Sequence, residues 1–237
     1  MFKTSLLLIL SIMAAPLLAT EEKSQETAQS TLESKETATP KNSSSTTPQQ
    51  ETVEIPGSGS PDEIVKLLSE EMIKRIQTLD RETRTVNSLY TIIEQVLMPH
   101  IAHTTVARRV LSKHWKKATK EQQEKFTQEF STFMILFYAK AFNEYTNETI
   151  EYKPMKKYKE GDKRAMVETV IDRKSDPSIN VKYSMKKYKS GWKVVDIIVE
   201  GVSLVISKNK EYNPLVAAES WDTLVAKLAF KNKQALQ

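Results

Sequence analysis

The chain has 237 residues, of which 39% are hydrophobic and 27% are charged, with a formal charge of +5 and no cysteine. The absence of cysteine excludes disulfides, thiol catalysis and cysteine-based zinc sites. A chain of this length buries an adequate hydrophobic core without such cross-links.

The N-terminus has the pattern of a secretory signal peptide. Lys3 precedes an apolar run from Leu6 to Leu18, and small and polar residues follow from Ala19. The alternative is a membrane anchor, but the run is shorter than the ~20 residues that a spanning helix needs. We therefore predict a signal peptide over residues 1–19 and a soluble mature protein.

The next stretch, residues 20–60, is rich in Ser, Thr, Glu, Gln and Pro and has no aromatic residue. Such a composition cannot bury enough apolar surface to offset the entropy of ordering the chain. We predict a disordered tether here, acting as a spacer or as a weak docking arm.

Charge divides unevenly between the tether and the rest. The tether has seven Glu and three Lys, a net charge of −4, and Lys3 contributes +1; subtracting both from +5 leaves +8 for residues 61–237. A basic domain favours anionic partners such as lipid headgroups, membrane surfaces or nucleic acid. The export signal and the lack of a nucleic-acid motif favour the first two.

Helices are predicted to open the folded domain, 61–237. Ser60 followed by Pro61 and two acids is typical of a helix start, and further helices are expected over Ser88–Met98 and Ala102–Ser112. Thr119 and Gln122 form a predicted capping box for a long fourth helix. That helix repeats aromatic residues at helical spacing, at Phe126, Phe130, Phe133 and Phe137.

Strand patterns come next, separated by Gly and Asp-Pro turns, over Thr149–Met155, Arg164–Asp172, Ile179–Lys187 and Trp192–Val199. Four sequential strands predict an antiparallel meander. Two more helices are expected at the end, over Ser203–Ala217 and Trp221–Phe230. The predicted class is α+β, with helices packed on one face of a curved four-stranded antiparallel sheet.

The last predicted strand and the residues after it, WKVVDIIVEGVSLV over Trp192–Val205, resemble a signature segment of the MlaC family, also called the toluene-tolerance family. A second block from Thr91 to Tyr145, including IIEQVLMPHIA and VARRVLSKHWKKAT, agrees in order with that family. The resemblance spans about residues 62–232. Two departures concern turns: the family usually has Gly where this chain has Ser112, and Gly before the last helix, where this chain has Glu219-Ser220.

The resemblance implies a periplasmic phospholipid carrier of a Gram-negative bacterium that supports outer-membrane lipid asymmetry. Its implied partners are phospholipid, an inner-membrane ABC transporter complex with a mammalian-cell-entry-type protein, and an outer-membrane lipoprotein–porin complex. It also implies no enzymatic activity, no cofactor and a sheet cradle roofed by helices around a deep lipid cavity. The residues expected to line that cavity are Val96, Leu97, Ile101, Val106, Val110, Leu111, Trp115, Phe126, Phe130, Phe133, Phe137, Tyr138, Tyr183, Trp192, Val194, Val199, Val202 and Leu204.

Asp196 is the one residue that looks chemically poised, because it interrupts an apolar strand. A buried carboxylate there could be a general base. The alternative is a structural acid that accepts hydrogen bonds from buried donors, and the resemblance favours it. No metal site is predicted, because His100 and His103 are suitably spaced but no third ligand is.

A short repeat, MKKYK, occurs before Gly161 and before Gly191. We expect its lysines, Lys156, Lys157, Lys186 and Lys187, to help docking to phosphate headgroups or partners; the plainer alternative is that they blunt strand edges. Two rivals to the carrier remain open: a small cavity-containing α+β enzyme with Asp196 as base, and a non-lipid adaptor whose interior is filled by its own side chains.

Overall fold

The computed structural model describes residues 59–155, 161–174 and 176–236, so the predicted signal peptide, nearly all of the tether, Lys156 and Lys157 lie outside the described residues. The helices are α1 Pro61–Gln77, α2 Val86–Val96, a short 3₁₀ helix Met98–His100, α3 His103–Trp115, α4 Lys120–Asn143, α5 Leu204–Ala218 and α6 Trp221–Ala235. The strands are β1 Thr149–Tyr152, β2 Arg164–Arg173, β3 Asp176–Tyr188, β4 Gly191–Val199 and β5 Val202–Ser203.

Helix starts are fixed by side-chain caps. Ser60 caps α1 as predicted and also forms a reciprocal capping box with Glu63, and the predicted box of Thr119 and Gln122 forms at α4. α2 begins at Val86 rather than Ser88, because Thr85 is the residue that caps it and Ser88 returns the bond. Ser203 caps α5 by accepting from the Ile206 amide at 3.1 Å.

The strands form one antiparallel sheet in sequence order, β1 to β5, which confirms the predicted α+β class and meander. The sheet has five strands where four were predicted. The fifth is only two residues long and turns back on β4, pairing Val202 with Val199. The turn between them, Glu200-Gly201, has positive φ at both positions (47° and 80°). A two-residue hairpin turn of type I′ requires positive φ at both of its central residues.

Two apolar clusters make up the core. The first joins α1, α2 and the middle of α4 to the sheet, through residues such as Ile64, Ile93, Ile135 and Val167. The second joins α3, the first half of α4, α5 and α6, around Phe126 and other buried side chains. α4 belongs to both clusters, and it is therefore the element that holds the two halves of the domain together.

α3 is interrupted at Ser112, where φ is 46° and ψ is −117°. This is the position where the resembled family has Gly, and the backbone adopts a conformation that favours Gly. The interruption breaks the regular backbone hydrogen bonding of the helix around Val110. The Val110 carbonyl accepts hydrogen bonds from the side-chain amides of Asn209 (2.7 Å) and Asn213 (2.9 Å) on α5. Packing of α5 thus supports a strained residue in α3. At the second departure, Ser220 caps α6 in place of a glycine turn.

Candidate functional site

A recess lies between α4 and the sheet, and two tyrosines mark it. Tyr138 on α4 and Tyr183 on β3 are both half-buried by accessible surface. Burial nevertheless raises the pKa of Tyr138 far above its usual value, and the nearby Asp196 carboxylate raises it further. A side chain surrounded by protein atoms that still keeps accessible surface lines a concave space rather than a closed core.

The packing of the elements agrees with this recess. Within the described part of the chain, α4 packs chiefly on α2, α3 and α6. The sheet is instead contacted mainly by α1 on β2, by α3 and α5 on β4, and by the 3₁₀ helix on β4. α4 therefore passes over the strands without close backbone contact, and only side chains reach into the interval between them.

The floor of the recess is a cross-strand row on the inner face of the sheet. Val167, Tyr183 and Ile197 are direct partners on β2, β3 and β4, so their side chains share one face. Val167 is a buried member of the first cluster, whereas Tyr183 and Ile197 are only partly buried and pack against it. Phe142 of α4 and Tyr152 of β1 are partly buried against the same cluster.

The two tyrosines of the recess are uncharged. Burial raises the pKa of Tyr183 as well, and the hydrogen bond to Thr169 opposes that shift only in part. Thr169 is itself 2% exposed and donates to the Val181 carbonyl at 3.5 Å. Both tyrosine hydroxyls therefore remain protonated near neutral pH, and such a lining suits an uncharged apolar guest.

The residues expected to line a cavity fall into three groups. One group is buried in the two clusters: Val96, Val106, Val110, Leu111, Trp115, Phe126, Phe130, Trp192, Val194 and Leu204. A second group is half-buried: Leu97, Ile101, Phe133, Phe137, Tyr138, Tyr183 and Val199. Val202 alone among them is exposed, at 55%. Ile101 and Tyr138 are packed against both clusters, so they connect the recess to each half of the core.

Sequence reasoning did not select Ile197, Phe142 or Tyr152 for this site. Phe142 continues the four-residue aromatic spacing of α4 beyond Tyr138, which was a usable signal. Ile197 could have been found from strand alternation once Tyr183 was chosen, since the two are cross-strand partners. Tyr152 offered no such signal, because its strand is four residues long.

Asp196 lies on β4 just after a bulge. Ser184 pairs with Asp196 and Met185 with Val194, so Val195 is the extra residue in β4. The Asp196 carboxylate accepts from the Ser203 hydroxyl at 2.6 Å and from the Val205 amide at 3.1 Å. These contacts tie β4 to the first turn of α5, where a carboxylate also complements the helix dipole.

Arg109 of α3 completes this arrangement. Its guanidinium donates to the Val195 carbonyl at 2.8 Å and lies 3.8 Å from the Asp196 carboxylate. Asp196, 6% exposed, is thus engaged by a hydroxyl, a backbone amide and a guanidinium. The same few atoms join α3, β4 and α5.

The histidines do not form a metal centre in the described residues, where no group of three or more His, Cys, Asp or Glu side chains could hold a metal ion. His103 uses both ring nitrogens, one with the Met98 carbonyl at 2.7 Å and one with the Ser131 hydroxyl at 2.9 Å. Burial lowers the pKa of His100 and His103, and the charge of Lys193 lowers both further.

The two described lysines of the repeat stand on β3 near the hairpin to β4. The Lys186 ammonium lies 5.2 Å from the Tyr188 ring centroid and that of Lys187 lies 5.8 Å from the Trp192 ring centroid. Both lysines lie at the same end of the sheet.

Among the described helices, none has the length and apolar character that a membrane span needs.

Helices laid over a sequentially ordered antiparallel sheet define an α+β protein, in which Tyr138 of the long helix α4 and Tyr183 of the sheet keep accessible surface. The family model for MlaC protein matches residues 66–229, more than half of the chain, and the chain therefore belongs to the MlaC protein family. The resemblance seen in the sequence is confirmed.

Individual relatives agree with this assignment. The chain is 28% identical over 144 residues, 60% of its length and 67% of the relative's, to an intermembrane phospholipid transport system binding protein MlaC of Haemophilus influenzae. It is 24% identical over 147 residues, 61% of its length and 67% of the relative's, to a toluene tolerance protein ttg2D of Pseudomonas putida.

One solved structure resembles the whole fold. A phospholipid-binding protein of Ralstonia solanacearum, in complex with a phospholipid, superposes with a TM-score of 0.69 at 22% identity, covering 76% of this chain and 100% of that one. At 22% sequence identity, the structural similarity shows that the two proteins share a fold. Together with the family match, it supports a lipid-binding and lipid-transport protein.

Proposed function

We propose that this protein is a periplasmic carrier that shuttles diacyl phospholipids between inner-membrane and outer-membrane complexes. The observation that carries the proposal is the recess between Tyr138 and Tyr183, which is deep among protein atoms yet still accessible. The phospholipid bound by a protein of the same fold, and the transport system named for a relative, support this choice of cargo.

The energetic need for such a carrier follows from the cargo. A diacyl lipid has roughly thirty methylene groups, and wetting each costs about 0.8 kcal/mol. A protein that encloses the acyl chains and leaves the headgroup in water removes most of this cost. No covalent step is required, so the carrier does not need to be an enzyme.

In this proposal the half-buried side chains line the acyl-chain site. Val202 takes the rim, because it pairs with the half-buried Val199 on the same face and is itself exposed. We infer that Asp196 is a structural acid rather than a base, because its described partners are donors of the fold itself. The fully buried members of the expected lining support the wall from behind.

Partners give the transport its route. We propose an inner-membrane ABC transporter complex with a mammalian-cell-entry-type protein on one side and an outer-membrane lipoprotein–porin complex on the other. Together these would maintain outer-membrane lipid asymmetry. Lysines beside the β3–β4 hairpin, including Lys186 and Lys187, contribute to docking, since exposed cations mainly raise association rates with anionic surfaces.

Native mass spectrometry of protein purified without added lipid tests the proposal. We expect one phospholipid per chain in the parent protein. Ile197→Trp places a large ring on the recess floor and should abolish most of this occupancy. Met166→Trp is the matched control: Met166 lies one position before Val167 on β2, its side chain is 42% exposed, and it points to the opposite face.

Both variants should keep the parent's far-ultraviolet circular dichroism and a cooperative melt. Protein that carries no lipid even after incubation with phospholipid vesicles would refute the carrier. Equal lipid occupancy in Ile197→Trp and Met166→Trp would refute the assigned site while leaving a carrier with a different one. A melting temperature lowered severely by Ile197→Trp alone would show that the position is packed core.

A further inference from the structure

Three cations stand side by side across the sheet. Arg164 of β2 pairs with Lys186 of β3, and Lys186 pairs with Lys193 of β4, so the three side chains form one row on one face. Like charges directly opposite each other on neighbouring strands destabilise a sheet. None of the three forms an ion pair within the described part of the chain. We call Arg164, Lys186 and Lys193 the cationic row.

The surroundings of the cationic row add positive charge. Lys163 and Lys187 lie at the same strand ends, where the Lys187 amide donates to the Lys163 carbonyl at 3.0 Å. Glu168 on the same face is already engaged, since its carboxylate accepts from Lys182 at 3.0 Å. The row therefore has the electrostatics of a site for a polyanion, and it lies on the sheet face opposite the recess.

The direction of α1 shows where the chain enters the folded domain. Gln77, at the end of α1, lies beside the Tyr145 side chain just before β1, and Ser69 in the middle of α1 lies beside the Tyr152 side chain at the end of β1. The path from the C-terminus to the N-terminus of α1 therefore runs in the same direction as β1. Tyr152 pairs with Thr169 of β2, so the same direction leads on to Arg164.

The lengths of the elements agree with this direction. From Ser69 back to Pro61 the helix rises about 12 Å at 1.5 Å per residue. From Thr169 to Arg164 the strand covers about 17 Å at ~3.3 Å per residue. The start of α1, to which residues 20–58 are joined, therefore lies at the end of the sheet that carries the cationic row.

We propose that the acidic segment 20–58 docks on the cationic row of its own chain. The segment carries seven Glu against three Lys, all within residues 21–54, and it is joined to the domain at the end of the sheet that carries the row. Even with coil dimensions it would span roughly 35 Å, comparable to the width of a domain of this size. The segment can dock on the row whether or not the recess holds lipid.

Attachment favours the segment over a separate partner. A short covalent link gives an effective concentration in the millimolar range, so weak ionic contacts suffice to occupy the row. Such contacts are screened by salt. A segment bound to the row would then compete with anionic membranes for the same cations and weaken membrane binding.

Nuclear magnetic resonance of the chain from residue 20 tests the contact directly. Changing the segment's glutamates to Gln alters its net charge from −4 to +3. We expect the amide resonances of the cationic row to move on this change, and to move the same way in about 1 M salt, where the screening length is ~3 Å. The substituted positions are Glu21, Glu22, Glu26, Glu33, Glu36, Glu51 and Glu54.

Two domain variants give the reciprocal test. R164Q/K186Q/K193Q should move the resonances of the segment, whereas K113Q/K116Q/K117Q should not. The control triple removes the same charge at exposed positions around the far end of α3. Unchanged row resonances in the Glu→Gln chain, or equal responses to the two triples, would overturn the proposal.

Phosphatidylglycerol vesicles separate the segment from a membrane as the occupant. The Glu→Gln chain should bind these vesicles at least tenfold more tightly than the parent, because the row is no longer covered. Equal binding by both, but weaker binding by R164Q/K186Q/K193Q, would overturn the proposal and assign the row to the membrane instead.

Discussion

Ser112→Gly should stabilise the protein, although most substitutions destabilise. Ser112 holds φ at 46° inside α3, and a residue held in a sparsely populated backbone region costs about 1–3 kcal/mol. Glycine relieves that strain but loses about 0.5–1 kcal/mol through the greater freedom of the unfolded chain. The net expectation is a gain of about 1 kcal/mol, or a rise in melting temperature of about 2–4 °C for a domain of this size.

Urea denaturation followed by circular dichroism measures this difference. Ser112→Ala is the first control and should gain nothing, because it removes the hydroxyl but keeps the strain. Arg108→Gly is the second: Arg108 is exposed on the same helix, where glycine should cost about 1 kcal/mol. Stability unchanged or lowered in Ser112→Gly would show that the backbone at this position is not strained.

Three further changes probe other parts of the molecule. Asp196→Asn should cost about 2 kcal/mol in urea denaturation, since either Ser203 or the Val205 amide loses its charged acceptor; an unchanged midpoint would contradict this. His103 has a pKa below 6.5 when folded, so the unfolded chain takes up its proton first and stability should fall between about pH 7 and pH 5. His103→Gln should flatten that pH dependence, and an identical slope would exclude His103 as its source. Replacing Lys156, Lys157, Lys186 and Lys187 by Gln should slow lipid exchange with anionic vesicles in a salt-dependent way but leave bound lipid unchanged; protein purified empty would place these lysines in the headgroup site.

Much of the architecture could be predicted from local chemistry. The Ser60 and Thr119 caps, the aromatic spacing of α4 and the alternation of the strands are each encoded within a few residues. The predicted order of helices and strands was therefore right, although several ends were off by a few residues. α6, for example, continues to Ala235 rather than stopping at Phe230.

The features that local chemistry did not predict depend on residues distant in sequence. β5 is too short to show alternation and exists because the Glu200-Gly201 turn returns the chain to β4. The break at Ser112 depends on Asn209 and Asn213, about a hundred residues later. Periodicity also cannot separate Phe130, which is 2% exposed in the core, from the half-buried Phe133 one turn away.

The two outer strands of the sheet are its shortest. β1 has four residues and β5 has two, while the central strands β2 and β3 have ten and thirteen. Ile101 additionally forms a bridge to Val194 beside β4. Outer strands this short offer little backbone of their own on which the strand of another molecule could extend the sheet. The protein should therefore resist edge-to-edge aggregation at high concentration, even though its interior strands are long and rich in β-branched residues.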